Sequence, residues 1–283
     1  MSNNKVWYVT GASQGLGLSL VKQLLAAGYR VAATSRSATG LQKSAGTTRP
    51  DQFLPLGVDL TSPDSIRNSI EQTIAAFGAV DVVVNNAGYG MEGTVEEMEE
   101  EEVRAIFEIN VLATINVTKY VLPYLRKQRS GHIINISSVA GFAGAPGWSI
   151  YSATKSAVIA FSEVLALDVQ ELGIKVTVIG PSGFRTGFLT KNSLVSVESQ
   201  IADYQSVTST HLRYAASDGK QDGDPEKAAA VFIRIAESPD PPLHLWLGAN
   251  AFDRASEKIA SLGEEIKKWK DLSLSAEFIT HKK

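Results

Sequence analysis

Short runs of β-forming apolar residues alternate with helical patterns along most of the chain. Strands that alternate with helices build parallel sheets through right-handed crossovers, so this alternation constrains the fold more than any other feature. The run at 80–85 is dominated by four valines, which is typical of a strand covered on both faces. The pattern predicts a single α/β domain with a doubly wound, seven-stranded parallel sheet and helices on both faces. Strands are predicted at residues 6–10, 30–35, 53–58, 80–85, 132–137, 175–179 and 243–247, and helices at 16–27, 62–77, 94–128, 149–171 and 225–237.

The composition excludes several classes of function. A formal net charge of −3 gives no basic surface of the kind that binds a phosphate backbone, so we expect no nucleic-acid partner. The chain has no cysteine, which excludes disulfides, thiol catalysis and thiolate metal sites. The four histidines lie far apart in the sequence, and we expect no bound metal.

A glycine-rich turn separates the first predicted strand from the first predicted helix. Residues 10–17 carry the spacing Gly-x3-Gly-x-Gly. Glycines let the backbone turn tightly and approach a pyrophosphate, and the helix N-terminus supplies free N–H groups and positive potential. A simple tight turn is the alternative, but the position after the first strand favours a dinucleotide site. The residues predicted to contact the cofactor here are Gly11, Ser13, Gln14, Gly15, Leu16 and Gly17.

The end of the second strand indicates which dinucleotide binds. An NAD site usually has an acid about 20 residues after the glycine turn, where it binds the ribose 2′-hydroxyl. Here the strand ends in Ser35 and Arg36 instead. A guanidinium beside hydroxyls suits a 2′-phosphate, so the predicted cofactor is NADP(H), although an ordinary surface arginine is the alternative for Arg36. Asp59, followed by Leu60, is predicted to contact the adenine, and a helix N-cap role is equally compatible with its position.

Tyr151 and Lys155 form the clearest catalytic pattern. Their spacing of four puts a phenol and an ammonium on one face of a predicted helix. A phenol can give a proton to a carbonyl that accepts a hydride, and a nearby ammonium lowers the phenol pKa from its free value of ~10. Ser138 ends the fifth strand, from which it can donate a hydrogen bond to the substrate oxygen. Asn110 falls inside a predicted helix, an unfavourable position that indicates another role.

Together these residues resemble the short-chain dehydrogenase/reductase family, in its compact branch near the hydroxysteroid dehydrogenases. The matching motifs lie within residues 5–190 and include 85–88 and 181–186. The resemblance implies a Rossmann fold, hydride transfer from a nicotinamide, and a tetrad of Asn110, Ser138, Tyr151 and Lys155. It also implies that Lys155 binds the nicotinamide ribose and that Asn110 holds a water that relays protons. Further cofactor contacts that it implies are Asn86, Ala87, Gly88, Tyr151, Lys155, Pro181, Gly183, Phe184 and Thr186.

The predicted function is therefore the reversible reduction of a ketone or aldehyde to an alcohol, with NADP(H) as cofactor. A non-catalytic NADP(H)-binding regulator on the same fold is one alternative, although it would not need the tyrosine and the lysine together. A sugar-nucleotide epimerase or dehydratase is another, but that branch carries a larger C-terminal substrate domain. We expect a small substrate, apolar around its carbonyl. The expected substrate contacts are Ser138, Tyr151, Tyr89, Met91, Ala140, Phe142, Trp148, Phe184 and Phe188.

One domain is expected to hold the whole site. Residues 1–250 are predicted to form the dinucleotide-binding and catalytic domain, with the hydroxyl-rich insertion at 184–224 as a substrate lid and 251–283 as a helical tail. No apolar run approaches the ~18 residues of a membrane span, and residues 1–5 leave no room for a signal peptide. We therefore expect a cytoplasmic protein. The resemblance also implies a homo-oligomer, most simply a homodimer, formed through the helices at 94–128 and 149–171.

Overall fold

Seven parallel strands form the main sheet of the computed structural model, which describes residues 5–197 and 201–278. The strands of the chain are β1 Val6–Val9, β2 Arg30–Ser35, β3 Phe53–Gly57, β4 Val82–Asn85, β5 Gly90–Glu92, β6 Gly131–Ile136, β7 Ile174–Pro181, β8 Leu194–Ser196 and β9 His244–Leu247. The main sheet has the order β3-β2-β1-β4-β6-β7-β9, and β5 pairs with β8 in a separate two-stranded sheet. The strand order reverses beside β1, where doubly wound sheets bind their ligands.

Helices cover both faces of the main sheet. They are α1 Gly15–Ala26, α2 Ala38–Ala45, α3 Pro63–Phe77, α4 Glu100–Phe107, α5 Ala113–Gln128, α6 Ser149–Val169, α7 Gln205–Ala216, α8 Pro225–Glu237, α9 Ala249–Lys268 and α10 Lys270–Leu274. The core on one face contains residues of α1 and α8, and the core on the other contains residues of α3, α5 and α6. Successive residues of β1 alternate between these cores, with Trp7 and Val9 in the first and Val6 and Tyr8 in the second. The predicted fold class is confirmed.

Capping residues set the helix ends that the sequence predicts well. Ser62 caps α3 by accepting a hydrogen bond from the Ser65 N–H, and Pro63 follows in the first turn. Asp224 caps α8 in the same way, and Pro225 follows it. Gly78 ends α3 with a φ of 80°, a left-handed conformation that glycine adopts without strain. These signals explain why the observed bounds of both helices match the prediction closely.

The helix predicted at 94–128 differs from the observed structure. A short 3-10 turn, Val95–Glu97, comes first, and α4 begins only at Glu100. The five residues Glu108–Leu112 then form a π-helical turn between α4 and α5. Such turns are uncommon and occur frequently at functional sites. The turn contains Asn110, the residue that the sequence marks as out of place in a regular helix.

The insertion at 184–224 contains regular structure of its own. It includes β8 and α7, and Phe184 forms an isolated parallel bridge with Gly223 at its two ends. Residues after β9 form α9 and α10, and 279–283 lie outside the described residues. None of β5, β8, α2 and α7 was predicted, because these elements are short or lack a clear apolar period.

Two long helical segments of the chain are rich in apolar residues. Glu100–Gln128 and Ser149–Leu172 would both be long and apolar enough to cross a membrane by length and composition alone. Polar and charged residues interrupt both segments, so neither is a continuous apolar run of the kind that the sequence analysis found to be absent. Both segments contribute residues to the core of the sheet, and 44% and 39% of their most apolar windows are buried.

Candidate active site

A cavity of about 560 Å³ opens at the carboxyl ends of the central strands. The carboxyl end of a doubly wound sheet is where such folds bind ligands, because the connecting loops diverge there. Most of the residues that the sequence predicts to contact a cofactor line it. They are Gly11, Ser13, Gln14, Gly15, Leu16, Ser35, Arg36, Asp59, Leu60, Asn86, Ala87, Gly88, Tyr151, Lys155, Pro181, Gly183, Phe184 and Thr186.

The glycine turn has the geometry that a phosphate cradle needs. Gly11 has a φ of 63°, and a Cβ there would lie 2.7 Å from the Cα of Ala87, so only glycine fits. α1 begins at Gly15 with no side-chain cap from Gln14 and no acidic residue in its first turn. Its N-terminal N–H groups and positive end therefore face the cavity without a competing carboxylate.

Gly17 is the one residue of this turn predicted to contact the cofactor that does not line the cavity. It is buried, and a Cβ there would lie 2.5 Å from Asn86 Nδ2 and 2.6 Å from the Gly11 carbonyl oxygen. Gly17 stays a predicted cofactor contact that is not part of the cavity wall. Its role is to let the turn pack against the loop after β4.

That loop is tied to the glycine turn by hydrogen bonds. The Asn86 side chain donates to the carbonyl oxygens of Thr10 and Gly11, at 2.9 and 3.0 Å. The Thr10 hydroxyl accepts from the backbone N–H groups of Asn86 and Ala87, each at 3.0 Å. These bonds fix two cavity walls relative to each other before any ligand binds.

The end of β2 forms the far wall of the cavity. Arg36 is exposed and lines the cavity, and no carboxylate of the described residues lies within ion-pair distance of it. The Ser35 hydroxyl donates to the Ser37 carbonyl oxygen at 2.7 Å, which braces the loop that carries Arg36. This wall therefore presents a positive charge and no negative charge from β2.

Asp59 occupies the neighbouring loop. Its carboxylate accepts from the Thr61 hydroxyl at 2.7 Å and from the Thr61 N–H at 2.9 Å, and these bonds lower its pKa. The N-cap of α3 is Ser62, so the alternative of a helix N-cap role for Asp59 is wrong. Asp59 and Leu60 both line the cavity.

Ser138, Tyr151 and Lys155 meet at the other end of the cavity. Ser138 begins a 3-10 turn after β6 and accepts a hydrogen bond from the Ala140 N–H at 3.1 Å. α6 carries Tyr151 and Lys155 on one face, and the Lys155 ammonium lies 5.8 Å from the centre of the Tyr151 ring. Lys155 Nζ also donates to the Ile136 carbonyl oxygen at 3.0 Å, which fixes its direction.

The pKa of Tyr151 differs from the expectation. Burial raises it above its usual value, the hydrogen bond with Ser138 lowers it, and Tyr214 raises it. Burial also lowers the pKa of Lys155 to about 8. The expectation of a lowered phenol pKa is therefore wrong for the protein alone, because the loss of solvation outweighs the hydrogen bond with Ser138. The phenol is protonated near neutral pH, which is the form that can donate a proton.

Asn110 lies behind the cavity wall rather than in it. It is 1% exposed and makes three hydrogen bonds with its side chain. Its amide oxygen accepts from the Tyr89 N–H, and its amide nitrogen donates to the Tyr89 carbonyl oxygen, both at 3.0 Å. The nitrogen also donates to the hydroxyl of Thr154 at 3.1 Å, and Thr154 directly precedes Lys155 in α6. Asn110 thus joins the loop after β4 to α6, which is a positioning role for its side chain.

Aromatic side chains form the wall beside Tyr151. Trp148 lies edge-on to Tyr151 with ring centres 5.5 Å apart, and Phe188 lies 5.8 Å from Tyr151 on another side. Tyr214, from α7, packs against Trp148 at 5.0 Å. Of the residues predicted to contact the substrate, those that line the cavity are Ser138, Tyr151, Tyr89, Ala140, Trp148, Phe184 and Phe188.

Two of the predicted substrate contacts lie elsewhere. Phe142 stacks on Trp246 with ring centres 5.0 Å apart, and this pair belongs to a small core with Val158 and Val178. Met91 is fully buried beneath the aromatic wall. Neither lines the cavity in the protein alone, and contact of either residue with a substrate stays a prediction. An apolar residue close in sequence to a catalytic candidate can equally belong to the core, and sequence alone does not separate the two cases.

Several cavity residues were not predicted from the sequence, because they lie in the insertion or after the last strand. Gln14 Nε2 donates to the Ser193 hydroxyl at 2.7 Å, so the insertion reaches across to the glycine turn. No local motif marks these positions, and only the folded chain brings them to the site. They are Gly187, Leu189, Asn192, Ser193, Tyr214, Ser217, Gln221, Asn250 and Arg254.

The residues present fit an extended dinucleotide. One continuous cavity joins the positive wall at Arg36, the uncapped N-terminus of α1 and the Tyr151–Lys155 pair. These are, in order, groups suited to a ribose phosphate, a pyrophosphate and a reacting nicotinamide with its ribose.

Comparison with known proteins agrees with this geometry. A family model described as short chain dehydrogenase matches residues 5–195. The chain is 35% identical over 273 residues to an oxidoreductase of Botryotinia fuckeliana, covering 96% of this chain and 99% of the relative. It is 37% identical over 240 residues to a 3-ketodihydrosphingosine reductase of Bacteroides thetaiotaomicron, covering 85% and 86%. A solved short-chain dehydrogenase from Streptomyces avermitilis superposes with a TM-score of 0.88 at 35% identity, covering 97% and 98%.

Proposed function

Because the chain belongs to the short-chain dehydrogenase/reductase family, we propose that it is an NADP(H)-dependent enzyme that interconverts a ketone or aldehyde and an alcohol. The observation that carries the proposal is the convergence of Ser138, Tyr151 and Lys155 on one end of a cavity whose other end is Arg36. A purely regulatory dinucleotide-binding protein would need the glycine turn, but it would not need a buried phenol and ammonium together.

A bound nicotinamide cofactor would supply or accept the hydride at the carbonyl carbon. The protein groups then handle the oxygen. The Ser138 hydroxyl donates a hydrogen bond to the substrate oxygen, and the Tyr151 phenol transfers its proton there as negative charge develops. Lys155 binds the nicotinamide ribose and stabilises the phenolate that remains, because its ammonium lies close to the Tyr151 ring. Asn110 keeps α6 and the loop after β4 in register.

The direct test is consumption of NADPH by the purified protein in the presence of a panel of ketones and aldehydes, with product identified by mass spectrometry. The proposal predicts an alcohol product from at least one apolar carbonyl compound. NADPH that binds tightly but is never consumed, across the whole panel, would favour the regulatory alternative.

We expect the Arg36→Asp variant to lose its preference for NADP(H). The variant removes a charge-assisted contact with the 2′-phosphate and adds repulsion, so kcat/KM for NADPH relative to NADH should fall at least roughly 10-fold. The same ratio should fall less in Arg36→Lys, because this variant keeps the positive charge. Lys43→Asp is the matched control, since Lys43 is exposed on α2 and does not line the cavity. Equal or better kcat/KM with NADH in the wild type contradicts the assignment.

The cavity favours a substrate that is apolar around its carbonyl. Trp148, Phe188 and Tyr214 surround Tyr151, so the reacting group is flanked by aromatic surface. A relative named as a 3-ketodihydrosphingosine reductase supports a keto substrate. Activity confined to charged sugars would contradict this part of the proposal.

We also propose that the insertion at 184–224 acts as a lid on the domain formed by 1–250, with 251–283 as its tail. Phe188, Ser193 and Tyr214 reach the cavity from this insertion, and lids of this kind close over bound ligands. Hydrogen exchange of 201–216 should slow when NADPH and a substrate analogue bind together. Exchange that is the same with and without ligands counts against a lid. Exchange of α8, none of whose residues line the cavity, is the internal control.

A homodimer and a cytoplasmic location stay predictions. The two helical segments proposed to form the dimer carry exposed apolar side chains, namely Leu112, Val164 and Leu167. Exposed apolar surface of this kind favours an interface. Light scattering at micromolar concentration should give twice the chain mass, whereas the mass of a monomer would rule out the dimer. Cell fractionation tests the location.

A further inference from the structure

One end of the cavity is lined by polar groups that the proposed hydride and proton transfer does not use. Asn250 and Arg254 reach it from the first two turns of α9, after the last strand of the sheet. Gln221 reaches it from the end of the insertion. These three residues belong to segments on which the sequence carries no recognisable motif.

The charge of this region is positive and has no acidic partner. Arg254 is partly buried and donates from its guanidinium to the Ala143 carbonyl oxygen, in the loop that follows Ser138. No carboxylate of the described residues lies within ion-pair distance of the Arg254 guanidinium. A partly desolvated guanidinium that faces a cavity and has no internal counter-charge is suited to bind an anion.

The N-terminus of α9 adds to this field. The helix begins after Gly248 with no side-chain cap and no acidic residue in its first turn. Its first backbone bond runs from the Phe252 N–H to the Gly248 carbonyl oxygen at 3.0 Å. The N–H groups before Phe252 therefore lack partners within the helix, and the macrodipole makes this end positive.

An independent observation points to a missing ligand. Gln221 is only 8% exposed, and its amide oxygen is buried without a hydrogen-bond partner in the protein. The Gln221 side chain packs against Gly183, where an added Cβ would lie 3.3 Å from Gln221 Cγ. Gly183 belongs to the loop after β7, which also meets the start of α9. In that loop Ser182 Oγ would be 2.4 Å from a Cβ on Gly248. A buried, unsatisfied amide at a cavity wall is costly unless a ligand or water bonds to it.

We propose that Arg254, Asn250 and the N-terminus of α9 bind an oxyanion, a carboxylate or a phosphate, on the substrate at a distance from its carbonyl. Because the unpartnered atom of Gln221 is an amide oxygen, it would accept a hydrogen bond from a donor group of the substrate beside the oxyanion, and not from the oxyanion itself. This inference rests on the proposed function and narrows its substrate class to carbonyl compounds with an apolar segment and an anionic terminus. The aromatic wall contacts the apolar segment, and the tail of the chain selects the anion.

The test compares acids with their neutral esters. We expect the wild type to reduce a homologous series of oxo-carboxylates with higher kcat/KM than the matching methyl esters, with a maximum at one chain length. Arg254→Gln should lower the acid-to-ester ratio roughly 10- to 100-fold. Arg254→Lys should lower it less. Lys258→Gln, on the same helix but exposed and outside the cavity, should leave the ratio unchanged.

A second variant covers the case in which Arg254→Gln fails to fold. Asn250→Asp puts a negative charge in the first turn of α9, where an acid stabilises a helix, and it should still lower the ratio by repulsion. A wild type without preference for acids overturns the inference. So does an equal fall for acid and ester in Arg254→Gln while Asn250→Asp leaves the ratio unchanged, since Arg254 would then only support the Ala143 loop.

Binding of non-reacting anions separates this inference from the proposed function. A fatty carboxylate, an alkyl phosphate and the matching alcohol are each added to NADPH-loaded protein in a calorimeter. We expect binding of at least one of the anions and little binding of the alcohol. Binding that weakens in Asn250→Asp supports the anion site even if no carbonyl is ever reduced. Reduction of neutral carbonyls without any anion binding would support the proposed enzyme activity and overturn the anion site.

Discussion

The Tyr151→Phe variant should lose turnover by roughly 10²- to 10⁴-fold, or more, while it still binds NADPH nearly as tightly as the wild type. The ring and its packing against Trp148 and Phe188 stay in place, and only the hydroxyl that meets Ser138 is removed. No other group is then placed to donate a proton to the substrate oxygen as the hydride is transferred. Steady-state turnover and NADPH binding by fluorescence, measured on the same preparation, check both halves of the expectation.

A matched control removes a buried tyrosine hydroxyl elsewhere. The Tyr8 hydroxyl is buried 2.6 Å from that of Ser69, far from the cavity, so Tyr8→Phe should lower stability by about 1 kcal/mol and keep turnover. A Tyr151→Phe enzyme with near-normal turnover would contradict the role of the phenol.

The Lys155→Met variant should lose both turnover and cofactor affinity. Met has a similar length and remains apolar in a buried position, but it cannot donate to the ribose or stabilise a phenolate. We expect turnover to fall by roughly 10²-fold or more and NADPH binding to weaken roughly 10- to 100-fold. Lys119→Met is the control, since Lys119 is exposed on α5. Loss of turnover with unchanged NADPH affinity would mean that Lys155 acts on the Tyr151 phenol and does not bind the ribose.

The same lysine predicts how NADPH affinity depends on pH. Burial lowers the pKa of Lys155 to about 8, so its ammonium is charged below that pH and loses its proton as the pH rises through it. If the ammonium binds the ribose, the Kd for NADPH of the wild type should rise as the pH increases above about 8. The Kd of Lys155→Met should be high at every pH and lack this rise. A wild-type Kd that is constant from neutral to alkaline pH contradicts the ribose contact.

Much of the fold was predictable because its strands are buried on both sides and its helices carry capping residues. β2 and α8 were predicted to the residue, since clear apolar runs and the Asp224–Pro225 cap define them. The cofactor end of the cavity was predictable for a related reason. A phosphate cradle depends on local backbone geometry, which the glycines of a single turn specify.

The substrate end was harder to predict because it is assembled from distant segments. Phe142 and Phe188 are both aromatic residues near the motifs, yet one packs in the core against Trp246 and the other lines the cavity. Arg254 reaches the site only because α9 folds back toward the loop after Ser138. Asn110 was recognised as unusual, but the π-helical turn that explains its position has no signal in the sequence.

The most direct test of the central claim follows a hydride. The protein is incubated with NADPH that carries deuterium on the transferring carbon and with an apolar ketone, and the alcohol is examined for label at its carbinol carbon. We predict one deuterium at that carbon with the wild type, in a single stereochemical sense, and a far slower appearance of the same label with Tyr151→Phe. A wild-type protein that binds NADPH but transfers no label to any carbonyl compound would contradict the account.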